Sequence, residues 1–305
     1  MKSPQARQIW LTSNLIGFFL MVKIFFIEAC YLLIDYRGVS RYSRSFAEIL
    51  ISLTSSLLPC ALLVFVIKKK IKDVAGLKLP QKNYILYIGL GLGIKLVAAF
   101  CTNFVTDLLA SNNLKSGTPE VLFEFEPTVL GIIFYFFSSA VVPALGEEFM
   151  CRGVILGVLR PFGARFSIVV SALIFGLMHG NIEQFILTFL MGLYFGFLTV
   201  KTESILPAII LHFLNNFSVW LFVVFSSLQN PTVVLIYHVA VMLVAIVSFM
   251  LLFTKKDNCV FAVNTSDFMA VTSVSALKKF LNFLIAPGMV VFLIYAAFVF
   301  CMSFR

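Results

Sequence analysis

Long apolar runs separated by short polar connections set the pattern of this chain from end to end. A helix that crosses a bilayer needs about 20 largely apolar residues. That criterion predicts helices near residues 9–34, 46–67, 84–110, 128–150, 183–200, 204–228, 231–253 and 279–303. The run 166–179 is short for a full crossing and predicts a short helix. The expected fold is all-α: a polytopic transmembrane helical bundle of about eight full spans plus a short helix. No internal repeat or low-complexity tract stands out. The first run holds Lys23 and Glu28, is longer than a signal-peptide core and lacks a small-residue cleavage site, so it is read as a retained helix.

Composition agrees with this reading. Of 305 residues, 61% are hydrophobic and only 12% charged, which excludes an ordinary soluble domain. The 35 phenylalanines suit lipid-facing helices. A net charge of +9 would suggest nucleic acid in a soluble protein. Here most of the Lys and Arg sit in short loops, where they set topology, and no nucleic acid partner is expected.

Lys68, Lys69, Lys70, Lys72, Lys78 and Lys82 crowd the second connection and place it in the cytoplasm. The third connection, with Glu120, Glu124 and Glu126 against Lys115, falls outside. Arg160 and Arg165 fall inside, as does the loop with Lys255 and Lys256. The first connection, with Arg37, Arg41 and Arg44, runs against this scheme. On this topology the fourth span runs inward, so a site on its C-terminal part lies toward the cytoplasmic leaflet. The sequon at Asn264 then falls on the wrong side for glycosylation. Cys30, Cys60, Cys101, Cys151, Cys259 and Cys301 show no C-x-x-C spacing and read as reduced packing residues.

Candidate chemistry starts where the fourth span is interrupted, in Val141 to Arg152, VVPALGEEFMCR. Each ionisable side chain near a bilayer centre costs roughly 2.5 to 3.5 kcal/mol, so Glu147, Glu148 and Arg152 must be paired, hydrated or used. On a helix Glu148 and Arg152 share a face and can pair, while Glu147 is turned about 100° away and stays free to act. Just before them, Pro143 frees backbone groups and Gly146 permits close helix approach, features of a protein-enclosed cavity.

Two of the three histidines follow on the next segments. Phe175 lies four before His179, and Asn216 lies four after His212, so His212 and Asn216 form a two-pronged polar unit. His238 has no such company and reads as a core or pore-side residue. Two hydrolytic schemes fit. In one, Glu147, helped by His179, activates water against a peptide carbonyl, and His212 with Asn216 donates to the oxyanion. In the other, zinc held by His179, His212 and Glu147 lowers the pKa of bound water, and a remaining Glu serves as base. No H-E-x-x-H helix supports the zinc scheme. Glu183 is a possible extra carboxylate that fits a helix cap better. No G-x-S-x-G elbow supports serine chemistry, and Gly89, Gly91 and Gly93 read as helix packing.

The three motifs, E-E-x-x-x-R at Glu147, Glu148 and Arg152, F-x-x-x-H at Phe175 and His179, and H-x-x-x-N at His212 and Asn216, resemble those of the CPBP intramembrane proteases. That family, also called ABI, joins endopeptidases that trim prenylated CAAX proteins with prokaryotic enzymes linked to bacteriocin immunity or processing. Its members have been described both as metalloproteases and as glutamate proteases. The resemblance spans Gly146 to Asn216 and implies a helical bundle around a water-filled active-site cavity. It implies Glu147, His179, His212 and Asn216 as working positions, with Glu148 and Arg152 beside them, and a membrane-associated peptide or protein in the lipid bilayer as substrate. The chain then divides into N-terminal transmembrane helices (1–125), a catalytic core (126–228) and C-terminal transmembrane helices (229–305). Two other classes share these residues. One is a catalytically inactive scaffold or bacteriocin-immunity-type protein using the same cavity. The other is a proton-coupled transporter, since buried Glu and His also relay protons.

Overall fold

The structure, a computed structural model, describes residues 3–33, 40–71, 76–80, 84–114, 128–227, 231–254 and 274–304. Arg37, Lys72, Lys82, Lys115, Glu120, Glu124, Glu126, Lys255, Lys256, Cys259 and Asn264 lie outside the described residues, as do both expected segment boundaries. The helices are α1 (Pro4–Leu33), α2 (Arg41–Val66), α3 (Tyr84–Ser111), α4 (Val129–Phe162), α5 (Ala164–Leu177), α6 (Ile182–Thr202), α7 (Leu206–Ser227), α8 (Pro231–Thr254), α9 (Ala276–Leu284) and α10 (Pro287–Ser303). Among the described residues, seven helices are long and apolar enough to cross a membrane, and α9 with α10 would make an eighth span. The protein is a polytopic helical bundle.

Two boundaries depart from the hydropathy reading. The last expected span, 279–303, is two helices bent by 75° at a short break. Ala286 precedes Pro287 and is extended, the conformation that the proline ring imposes on the residue before it. The fourth span does not stop at residue 150 but runs 34 residues to Phe162, so Glu147 and Glu148 sit near the middle of α4 rather than at its end. The charges made the span look finished; the fold absorbs them instead.

α4 is not a uniform helix. Phe137–Val141 and Phe149–Ile155 are π-helical, on either side of an α-helical segment Val142–Glu148. The Val142 N–H reaches Phe137 O, five residues back, and the Leu156 N–H likewise reaches Cys151 O. Pro143 has no N–H to donate, which helps explain why the ladder changes register beside it. Each π turn inserts a residue and rotates the remainder of the helix about its axis, a device found often at functional sites. α5 has 14 residues and rises about 21 Å, short of the ~30 Å hydrocarbon core, so the α5–α6 turn is reached before a full crossing.

Glycines set the helix crossings. A Cβ at Gly89 would overlap Ser248 on α8, and one at Gly91 would overlap Leu211 on α7, which confirms the packing role read for this run. Gly146 packs on Ser56 of α2, where a Cβ would approach to 3.2 Å. α1 and α10 meet backbone to backbone: a Cβ at Gly17 would overlap the main chain of Gly288, whose N–H donates to Asn14 Oδ1 at 2.7 Å. The described cysteines are free, as expected.

The basic connections share one end of the bundle. Ser204, between α6 and α7, donates to Lys78 O at 2.6 Å, and Arg160 lies 4.0 Å from Glu203. Lys279 of α9 donates to Phe162 O at 2.7 Å, closing the C-terminus of α4. At the opposite end, Tyr42 and Thr128 join the starts of α2 and α4 through their hydroxyls at 2.8 Å.

Replacing Gly17 by Val is predicted to force α1 off α10 and to destabilise the protein by about 1–3 kcal/mol, as overpacking does. The check is the melting temperature of the detergent-solubilised protein. No change would mean that the two helices do not cross here.

Candidate active site

The α4 carboxylates have different surroundings. Glu148 and Arg152 are fully buried, and Arg152 Nη1 donates to Glu148 Oε1 at 2.9 Å across one helical turn, as the spacing predicts. The same oxygen also accepts from Nδ1 of His212 on α7, again at 2.9 Å. The guanidinium is held between two rings, 4.3 Å from the centroid of Phe175 on α5 and 5.0 Å from that of Phe195 on α6, a cation–π arrangement. Gly192 makes room for it: a Cβ there would lie 2.9 Å from Arg152 Nη2. Four helices therefore close on one ion pair.

Glu147 is outside this clasp. Its side chain keeps 24% of its exposure, and Oε2 lies 3.9 Å from His212 Nε2. That Oε2 atom is buried and has no hydrogen-bond partner among the described residues. Glu148 Oε2 is likewise buried without a partner, so the two carboxylates differ in that Glu148 is fixed through Oε1 and fully buried, while Glu147 is outside the ion pair and partly exposed.

The histidines are oriented from behind. His179 follows the end of α5, where its Nδ1 donates to Phe175 O at 2.8 Å. Its chain position is fixed by Gly180 at φ +70° and by Asn181, which caps α6 through the Gln184 N–H and donates to His179 O at 3.1 Å. The Phe175 ring meets both imidazoles edge-on, with centroids 5.0 Å from His179 and 5.7 Å from His212. Phe195 stacks on His212 at 5.4 Å. Carbonyl and carboxylate oxygens only accept, so both rings carry a proton on Nδ1 and, when neutral, offer Nε2 as a lone pair. Glu147, His212 and Arg152 all lie within electrostatic reach of His179.

Asn216 lies one turn beyond His212 on the same face of α7. Its Oδ1 accepts from Asn215 Nδ2 at 3.1 Å, which leaves the Asn216 amide N–H groups as its donors. Behind it, Lys95 of α3 donates to Ser218, and Ser218 donates to Asn215 O at 2.6 Å. The structure thus gathers Glu147, Glu148, Arg152, His179 and His212, with Asn216 adjoining. Two other residues stay apart. His238 is exposed on α8 and bonds its own helix at Val234 O, so it is not a core residue. Glu183 lies in the first turn of α6, where Asn181 rather than Glu183 is the cap.

Several residues here carry no motif. Phe195, Asn215 and Gly192 look like ordinary helix residues in sequence. Lys23 and Lys95 do carry a signal, because each interrupts an apolar span just as Glu147 does. Lys23 of α1 donates to Ser55 Oγ at 3.1 Å and Ser56 Oγ at 3.3 Å on α2, beside Gly146.

A zinc ion here would draw on His179, His212 and Glu147. The donor chemistry suits one, since both imidazoles have Nδ1 engaged and Nε2 open, as metal-bound histidines do. The spacing does not: among the described residues, no three His, Cys, Asp or Glu side chains are gathered to hold a metal ion.

Residues 129–218, which contain all three motifs, match the family described as type II CAAX prenyl endopeptidase Rce1-like. Over 179 residues the chain is 30% identical to the membrane-embedded CAAX protease MroQ of Staphylococcus aureus (strain USA300), covering 55% of this chain and 70% of that protein. No solved structure matches. An aligned length that reaches across most of a membrane-embedded CAAX protease, with the motif region falling on α4 to α7, means that the chain belongs to the CPBP (ABI) family of intramembrane proteases.

Proposed function

We propose that this protein is an endopeptidase that hydrolyses a peptide bond of a membrane-associated peptide by attack of an activated water. The observation that carries this reading is the buried Glu147 Oε2, without a hydrogen-bond partner among the described residues and 3.9 Å from His212 Nε2, on a carboxylate that keeps part of its exposure, while Glu148 is fully buried and tied through Oε1 to Arg152 and His212. Glu147 takes a proton from water as the oxygen attacks the scissile carbonyl, with His179 Nε2 holding the water by accepting a second hydrogen bond. The oxyanion meets the Asn216 amide and, in its doubly protonated form, His212 Nε2–H. Protonated Glu147 then returns its proton to the leaving amine nitrogen as the C–N bond breaks. No covalent enzyme intermediate forms. The Glu148–Arg152 pair takes no part in proton transfer: it sets the ring angle of His212.

The donor spacing supports the metal-free scheme. The MroQ relative is named as a CAAX protease, which supports a substrate presented at a membrane.

Three outcomes are expected. Glu147→Gln is to lower cleavage by about 10²–10⁴-fold, the usual worth of a general base, with the melting temperature unchanged; a wild-type rate in this variant would remove Glu147 from the chemistry. Arg152→Met strands a buried carboxylate and is to cost about 3–5 kcal/mol, so it lowers both melting temperature and activity. Elemental analysis of purified, active protein is to find metal well below one equivalent, and activity is to survive chelation. Loss on chelation with recovery on adding zinc would replace this scheme by the metal one.

A further inference from the structure

Lys95 of α3 is a cation without a counter-ion: among the described residues, no carboxylate lies within ion-pairing distance of it. Along the helix it lies about 16 Å from Tyr84 and about 24 Å from Ser111, too deep for its ammonium to reach either end of α3. A charge at that depth is costly, and such groups are kept where they are used. α3 lies outside the matched residues 129–218, so the family comparison assigns Lys95 no role.

α3 touches α7 on both sides of its polar stretch. A Cβ at Gly91 would overlap Leu211, just before His212; one turn further along α3, Lys95 donates to Ser218 Oγ, two residues past Asn216. Tyr237 of α8 adds a third tie, donating to Leu214 O at 3.3 Å. An ammonium only donates, so Ser218 accepts from Lys95 and spends its single O–H on Asn215 O, at 2.6 Å. Asn215 Nδ2 in turn donates to Asn216 Oδ1 at 3.1 Å. Every donor in this chain points from Lys95 toward Asn216. The other end of the Asn215 amide, Oδ1, is buried and has no hydrogen-bond partner among the described residues.

Turning the Asn215 amide over would make its Oδ1 accept from Asn216 and take up one of the two N–H groups that the oxyanion needs. A positive charge one hydroxyl away opposes that flip, since in an apolar medium it attracts the amide oxygen and repels the N–H end. Resting on the proposed hydrolytic reading, we propose that Lys95 is a positioning residue of the reaction. Through Ser218 and Asn215, its charge holds the Asn216 amide with both N–H groups free for the oxyanion. Lys95 itself touches neither the water nor the peptide.

The test uses the full chain in detergent micelles with an isotope label on its asparagine nitrogens, and an internally quenched leucine-rich peptide with an acyl anchor as the cleavage probe. The Asn216 amide pair is identified by its loss from the NMR spectrum in Asn216→Ala. Lys95→Met is expected to displace that pair and to lower kcat about 10–100-fold at unchanged KM, the cost of a misplaced donor. Its melting temperature stays at or above the wild-type value, because an unpaired ammonium has left the membrane interior. Lys95→Arg keeps the pair in place and most of kcat, and Ser218→Ala, which breaks the same chain, displaces the pair as Lys95→Met does. Adding Lys95→Met to Asn216→Ala lowers kcat no further, since both act at one donor. An Asn216 pair that stays in place in Lys95→Met or Ser218→Ala overturns the proposal. So do effects that multiply in the double variant, or a lower melting temperature with a raised KM, which mark a structural lysine. If the pair moves as stated but Glu147→Gln cleaves like the wild type, the hydrolytic reading falls and the hold of Lys95 on Asn216 stands.

Discussion

A single carboxylate oxygen inside the bundle, Glu148 Oε1, accepts from Arg152 on its own helix and from His212 on α7. In an apolar medium an unpaired ion is expensive, and removing either partner exposes that cost, so the three side chains hold one another in place. Arg152 is in turn held between Phe175 and Phe195. The arrangement recruits α4, α5, α6 and α7 at one point. The clasp fixes Glu148 through Oε1 inside the bundle, whereas the adjacent Glu147, partly exposed and outside the clasp, is left available. Two neighbouring residues of the same type thereby come to differ in what they can do.

The clasp needs a backbone that can present it. Two π-helical stretches flank the carboxylate turn of α4, and glycines at the neighbouring crossings let other helices close in: Gly146 on α2 and Gly192 beside Arg152. Phe175 serves both sides. Its ring covers the guanidinium and meets the two imidazoles edge-on, while its carbonyl fixes the Nδ1 proton of His179. The F-x-x-x-H spacing therefore has a concrete physical content: one turn of helix carries the packing, the orientation and the imidazole.

Around this core the first and last helices form an outer layer. Ammonium groups from two helices outside the motif region reach inward, Lys95 toward the α7 amides through Ser218 and Lys23 toward α2 beside Gly146. Both sit in spans where a charge is costly, and both are solvated by hydroxyls of neighbouring helices. The polar interior is thus larger than the motifs suggest, and α1 and α10 supply part of its wall.

Hydropathy alone was enough for an all-helical membrane bundle, since a bilayer demands long apolar helices and their length is countable in sequence. The i, i+4 rule was enough for the Glu148–Arg152 pair, because both ends lie on one helix. The family motifs could be read for the same reason: each is confined to a single turn. What sequence could not reach were relations between helices. That His212 shares an oxygen with Arg152, that Phe195 stacks on His212, and that Asn215 and Lys95 stand behind Asn216 depend on crossings set by glycine contacts far apart in the chain. Charges also misled the boundary of α4, since a window that counts apolar residues ends a span where a buried ion pair begins, and the bend before α10 hid inside a continuous apolar run. Local spacing is written in the chain because a helix repeats every few residues; which faces meet is decided only when the helices pack.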